Sequence, residues 1–200
     1  MTNFKKAALA AVMTATAFGA SPALASPTTA SASGSATVKI YSPLSIAAPT
    51  AADSVVDFGV LVGTRGGVTA PRSANDFVIS ATGAPTSASV CGSAINWSCS
   101  GSPHRAQYVV AGSDSSVVNV WLTSPTITLT RAGGSSVVAD DTVPLDLALS
   151  EVSDTNGDGY ANFVLAGGSK TVYVGGKLQV SATDQDGVYT GTFQINADYQ

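Results

Sequence analysis

The segment Val188-Tyr189-Thr190-Gly191-Thr192-Phe193-Gln194-Ile195-Asn196-Ala197-Asp198-Tyr199 alternates along its whole length. Tyr189, Gly191, Phe193, Ile195, Ala197 and Tyr199 fall on one face, and the polar residues with Val188 fall on the other. Successive side chains of an extended chain point to opposite sides, so a period of two marks a strand with one buried face. The chain before it is built in the same way. Strand-like runs cover residues 36–41, 55–62, 77–80, 87–90, 107–110, 117–123, 126–130, 143–149, 160–165, 171–174, 177–180 and 188–199. Leu145, Leu147 and Leu149 alternate with Asp146 and Ala148, a half-buried strand. Ala132-Gly133-Gly134 and Gly175-Gly176 read as turns between runs. No window sustains an apolar period of 3.6. Short strands at this spacing, punctuated by turn residues, predict an all-β antiparallel sandwich.

A second alternating stretch lies near the start. From Ala30 to Tyr41, the residues Ala30, Ala32, Gly34, Ala36, Val38 and Ile40 share one face. Ser31, Ser33, Ser35, Thr37, Lys39 and Tyr41 share the other. Extended, this stretch reaches about 40 Å, and its apolar face grades from tiny side chains to bulky ones. One reading is an ordinary first strand or a Ser/Ala linker. The other is a donor strand that completes a neighbouring subunit by β-strand addition.

Ahead of it stands an export signal. Lys5 and Lys6 precede an apolar run from Ala7 to Ala20, and Ala23-Leu24-Ala25 supplies the small-residue cleavage pattern. The run is too short and interrupted for a good membrane span. Residues 1–25 are therefore read as signal peptide, 26–41 as an extension and 42–200 as the sandwich domain. Cleavage takes two of the nine basic residues and none of the thirteen acids, leaving −6. No Cys follows the cleavage site and no apolar tail closes the chain, which argues against a lipid or C-terminal membrane anchor.

Of the 200 residues, 11% are charged, one is His and two are Cys. Nine scattered Lys and Arg do not make the footprint of a nucleic-acid binder. One His and two Cys cannot build a zinc site, and Glu151 is the only Glu for paired-carboxylate chemistry. Composition points away from an enzyme. In an exported chain, Cys91 and Cys99 are expected to form a disulfide pinning a local loop or hairpin around Trp97.

The last strand also resembles the C-terminal motif of chaperone–usher pilins. Tyr199 is penultimate, Ala197, Ile195 and Phe193 precede it in phase, and Gly187 stands fourteenth from the end. The longer pattern resembles a bacterial secreted family, domain of unknown function 4402. Ser35-Ala36-Thr37-Val38, Asp57-Phe58-Gly59 with Gly66-Gly67, Ile127-Thr128-Leu129-Thr130, Val174-Gly175-Gly176-Lys177-Leu178 and Gly187–Phe193 carry that likeness. The resemblance implies an immunoglobulin-like, pilin-like sandwich of a Gram-negative bacterium, passing through the periplasm to the cell surface. It implies identical subunits as partners in a homopolymer, with a periplasmic chaperone and an outer-membrane assembly protein. Carried over by position, Ala32, Gly34, Ala36, Val38 and Ile40 would fill a neighbour's groove. Gly187, Phe193, Ile195 and Tyr199 would line the groove or the surface that a chaperone grips. The short mid-chain spacing of Cys91 and Cys99 departs from the pilin pattern, in which a disulfide joins the first strands.

Other motifs have two readings each. Asp154, Asn156, Asp158 and the carbonyl of Tyr160 fit the first half of a Ca²⁺ loop, with Gly159 at the turn. Position twelve is Leu165 rather than the bidentate Glu, and Asn-Gly and Asp-Gly also make plain hairpin turns. No cofactor is required; Ca²⁺ is the one this motif could take. His104 in a loop reads as solvated, since no Gly-x-Ser-x-Gly elbow accompanies it. Asp57-Phe58-Gly59 and Gly175-Gly176-Lys177 lack the remaining kinase and P-loop motifs. Trp121 reads as core and Trp97 as the better candidate for stacking on a sugar. The leading expectation is a filament subunit polymerising by donor-strand exchange. The alternative is a monomeric secreted sandwich that binds glycan or calcium.

Overall fold

The computed structural model describes residues 31–64, 73–92, 94, 96–150 and 160–200. The chain divides into two units, Met1–Lys39 and Ile40–Gln200. In the second unit the strands are β1 (Ser45–Ala47), β2 (Val60–Gly63), β3 (Asn75–Ile79), β4 (Trp97–Ser100), β5 (Ala106–Ala111) and β6 (Val117–Leu122). They continue as β7 (Thr126–Arg131), β8 (Thr142–Leu149), β9 (Ala161–Val164), β10 (Ser169–Val180), β11 (Tyr189–Thr190) and β12 (Ile195–Tyr199). A short α-helix, α1 (Ser87–Cys91), precedes β4. The fold is all-β, with antiparallel sheets packed together as the alternation predicts.

The larger sheet runs β1-β5-β10-β8-β7-β11, with β3 also on β10, and the smaller runs β12-β6-β9. Val110 of β5 and Val172 of β10 meet Val118 and Val120 of β6 with Phe163 and Leu165, and all six are buried. These six form the second apolar cluster; the first joins Phe77, Ile79, Leu145, Leu147, Val174 and Leu178, with Leu122 of β6 and Ile195 of β12 packed against it. Each fully buried Val, Leu, Ile or Phe contributes about 1.5–3 kcal/mol, so the two clusters hold the sheets face to face. The two-stranded ribbon β2-β4 is tied in through Trp97, which meets Phe77 edge-on at 4.9 Å.

Five expectations need correction. Gly175-Gly176 is not a turn: both residues lie inside the twelve-residue β10, which the sequence reading split in two. Residues Ser169–Val174 pair with β5, and Gly176–Val180 pair with β3 on the same edge. At that branch a Cβ on Gly175 would press on the Ile79 carbonyl and lie 2.6 Å from Ala81 N. The glycines serve close backbone approach, which a strand tolerates at some cost in rigidity. Residues 87–90 are helical because Thr86 and Ser89 form a reciprocal capping box, with Ser89 N–H on Thr86 Oγ1 at 3.1 Å and Thr86 N–H on Ser89 Oγ at 2.7 Å. The run 55–62 is strand only from Val60; Asp57 makes one isolated bridge to His104. Residues 31–43 carry no strand, and Val38 and Ile40 are 84% and 86% exposed. Alternation disposes side chains, but a strand also needs a neighbour for its N–H and C=O groups.

The alternating segment 188–199 is not one strand. It is two strands in two sheets: β11 pairs with β7, and β12 pairs with β6. Thr190 opposes Thr130 and Ile195 opposes Leu122, so five steps on one segment span eight on the other. The surplus lies at the corner Thr123-Ser124-Pro125, where a strand can change sheets. Gly191 sits inside this bend, where a Cβ would come within 2.7 Å of Leu129 Cδ2 and 3.0 Å of the Thr128 carbonyl.

Gly175→Ala should lower stability by about 1–3 kcal/mol through overpacking at the β3–β10 branch. Urea denaturation of the purified protein checks this; an unchanged midpoint contradicts the close-approach account.

Candidate functional site

Among the described strands, β12 pairs with β6 alone. Thr123 N–H donates to Gln194 O at 2.9 Å and Gln200 N–H to Val117 O at 3.0 Å. In an antiparallel ladder these two bonds fix the parity. Gln194, Asn196, Asp198 and Gln200 direct their backbone groups to β6. Ile195, Ala197 and Tyr199 turn theirs to the outer edge of β12, while their side chains pack on the second apolar cluster. This edge is the candidate site.

One end of the edge is clasped by the start of the domain. Tyr199 Oη donates to Ser42 O at 2.7 Å and accepts from Ser113 N–H at 2.7 Å. The ring stacks on Tyr41 with centroids 4.6 Å apart. Gly112 admits the hydroxyl, since a Cβ there would collide with Tyr199 Oη and lie 3.0 Å from Leu44 Cδ1. The chain thus enters the sandwich beside the last residue of β12. Sequence reasoning singled out Tyr199 but missed its partners, which have no local signal: Ser113 is 86 residues away.

Phe193 packs on the first cluster and meets Tyr108 edge-on at 6.3 Å. Burial pushes the Tyr108 phenol above its ordinary value, and its hydroxyl donates to Ser54 O at 3.3 Å. Gly187 leaves room for Arg131, whose Cγ and Cδ would lie 2.7 Å from a Cβ there. Arg131 in turn holds Asp141, with Nε on Oδ1 at 2.7 Å, while Ser135 N–H donates to Oδ2 at 3.1 Å. The Arg131 hydrogen bond and the Ser135 N–H hold the Asp141 carboxyl below the usual carboxylate range. Four C-terminal residues singled out by sequence therefore have defined seats. Gly187, however, sits against Arg131 at the β7–β11 end, away from β12.

Of the extension residues, Ala32, Gly34, Ala36, Val38 and Ile40 are exposed and lie outside the strands. Cys91 and Cys99 are joined, with Cα atoms 5.7 Å apart, tying α1 to β4. The two tryptophans exchange the roles expected of them. Trp97 packs on the first cluster, opposes Gly63 across the ribbon and donates from Nε1 to Ser73 O at 3.0 Å. Trp121 lies on the outward face of β6, its ring 5.1 Å from that of Tyr160. The alternation of Val118 and Val120 with Asn119 carried that signal, because a polar residue at the intervening position marks the outward side.

His104 is half-buried rather than solvated; its ring nitrogens lie 3.2 and 3.3 Å from the carbonyls of Ser102 and Ala52. Asp57 Oδ1 accepts from Gly59 N–H at 2.7 Å, and Gly59 has φ +72°, so Asp57-Phe58-Gly59 forms a turn into β2. Asp154, Asn156 and Asp158 lie outside the described residues, while the Tyr160 carbonyl accepts from Asn162 Nδ2 at 3.2 Å. Among the described residues, no three His, Cys, Asp or Glu side chains gather to hold a metal ion. Nor is any described helix long and apolar enough to cross a membrane.

Tyr199→Phe should cost about 1–2 kcal/mol, because it removes a donor and an acceptor from two backbone groups; urea unfolding measures it. The Asp141 contribution has a defined pH sign. Its folded pKa is depressed, so the stabilisation is present above the unfolded value of about 3.9 and fades as pH falls below that. Wild type should melt above Asp141→Asn at pH 6, with the difference shrinking toward pH 2. A gap that widens in acid contradicts this assignment.

The family model described as domain of unknown function (DUF4402) matches residues 53–199. No curated protein and no solved structure matches the chain.

Proposed function

The chain belongs to the DUF4402 family, and we propose that this member is a subunit of a cell-surface filament that polymerises by strand exchange. The observation that carries the proposal is the outer edge of β12, where Ile195, Ala197 and Tyr199 present backbone groups not used by β6. An incoming extended segment gains main-chain hydrogen bonds there, and alternate side chains reach the apolar layer between the sheets. The extension of a second copy has the matching chemistry. Ala32, Gly34, Ala36, Val38 and Ile40 form one continuous apolar face, with Ser and Thr on the other. Covering Val38 and Ile40 would contribute about 1.5–3 kcal/mol each.

Direction favours donation to a neighbour. The extension reaches Tyr41 beside Tyr199, and β12 also runs toward Tyr199. Folding back on its own β12 would therefore give a parallel pair, which is slightly less stable per residue than an antiparallel one. A neighbouring copy carries no such restriction. Donation from one copy to the next is head-to-tail, and such a contact propagates as an open filament unless it closes into a ring. On this reading the chain is exported, passes through the periplasm of a Gram-negative cell and is displayed at the surface. A chaperone that occupied the β12 edge during transit would keep subunits apart until an outer-membrane assembly protein joined them.

Deleting residues 26–41 while keeping the leader should abolish filaments seen by electron microscopy, with the shortened protein still exported. Normal filaments from cells carrying only that deletion would end the proposal.

A further inference from the structure

The small sheet has a second face, turned away from the core, that strand exchange leaves unused. Val118, Val120 and Phe163 point inward, so their neighbours Val117, Asn119, Trp121, Asn162 and Val164 point outward. Trp121 is only partly buried, and its ring is tilted 52° to that of Tyr160 at 5.1 Å. Beside this aromatic pair lies a row of amides. Asn119 and Asn162 are directly opposed across β6 and β9, and each has a buried Oδ1 without a hydrogen-bond partner. On the other side, Asn196 Nδ2 donates to Thr123 Oγ1 at 2.8 Å, and that hydroxyl lies 3.3 Å from Gln194 Oε1. Strands β6, β9 and β12 contain no Lys or Arg, and Asp198 is their one charged residue.

We propose that this outer face binds a neutral oligosaccharide. The aromatic pair offers apolar surface for the C–H face of a pyranose ring. The exposed Gln194 amide and the half-buried Asn196 amide offer both donors and acceptors for its hydroxyls. An anionic glycan, a phosphate or a nucleic acid would find no Lys or Arg on these three strands. Size separates a sugar from a protein partner. Three strands about 4.8 Å apart and some five residues long make a face of roughly 250 Å². A stable protein interface takes about 800 Å² from each side. An extended β-1,4-linked chain lies flat on such a surface, with successive rings along the strands. This proposal does not rest on strand exchange, because it uses the face of the sheet and not its edge.

The test uses the exported full chain, titrated by calorimetry and tryptophan fluorescence with two neutral β-1,4 hexasaccharides, cellohexaose and chitohexaose. Saturable binding of at least one is expected, with a change in indole emission. Trp121→Ala should weaken it at least tenfold, and Asn196→Ala should weaken it by a smaller factor. Both variants should keep the wild-type far-ultraviolet dichroism and a cooperative urea transition, which separates lost binding from lost folding. No saturable binding of either sugar overturns the proposal, as does equal binding by Trp121→Ala. If Trp121→Ala instead abolishes self-association and leaves sugar binding absent or unchanged, the face is a protein interface and the proposal fails. Loss of filaments on deleting residues 26–41, with sugar binding intact, leaves this site standing.

Discussion

The sandwich depends on one long antiparallel pairing that crosses from sheet to sheet. The segments 117–131 and 189–199 run against each other through both layers and bend together at Thr123–Pro125. Because they belong to both sheets, they fix how far apart and at what angle the layers sit. The corner also decides the chemistry of the last strand. Leaving β7 for β6 brings β12 to the border of a three-stranded sheet, with one side paired and no described strand on the other. A segment that stayed in the larger sheet would have extended it and left no such edge beside the domain's entry point. Tyr199 then locks the arrangement, since its hydroxyl joins Ser42, at the start of the domain, to Ser113 on the loop between β5 and β6.

An exposed strand edge is ordinarily a hazard that proteins blunt with charge, proline or a covering loop. β12 carries Asp198 and no Lys, Arg or Pro. Its short length limits non-specific pairing, and its inward side chains restrict productive partners to those with a matching apolar face. On the proposed strand exchange the extension would meet that requirement, since its small apolar residues share one face and alternate with Ser and Thr. The proposed strand exchange would give the low charge of the chain a physical reason. Extended segments that must slide into register benefit from uncharged flanks, and the amide-rich outer face of the small sheet follows the same economy of charge.

Much of the fold was legible because alternation is local. Leu145, Leu147 and Leu149 announce β8, and Val118 with Val120 announces the inner side of β6. What could not be read is where separated segments meet. Gly175-Gly176 looks like a turn until β3 is seen to press its backbone against β10 at that point. Gly187 looks like a motif glycine, but its reason is the stem of Arg131. The capping box at Thr86 and Ser89 was local and readable, yet the same residues also suit a strand, and the tether from Cys91 to Cys99 favours the compact form. The tryptophans show the other limit. Trp97 is drawn inward by a glycine across the ribbon, which only the register reveals, whereas the outward placement of Trp121 was already written in its phase relative to Asn119. At the candidate site, the strand and its inward residues were legible; the open edge and the Tyr41–Tyr199 clasp needed the topology.

Residue-resolved amide hydrogen exchange, compared between isolated subunits and assembled filaments, addresses the open edge most directly. In subunits, Asn196 and Asp198 should be protected through β6, while Ile195 and Ala197 exchange quickly. In filaments, Ile195 and Ala197 should become protected as a neighbour's strand takes up their backbone groups. Fast exchange at Ile195 and Ala197 in assembled filaments would contradict the account.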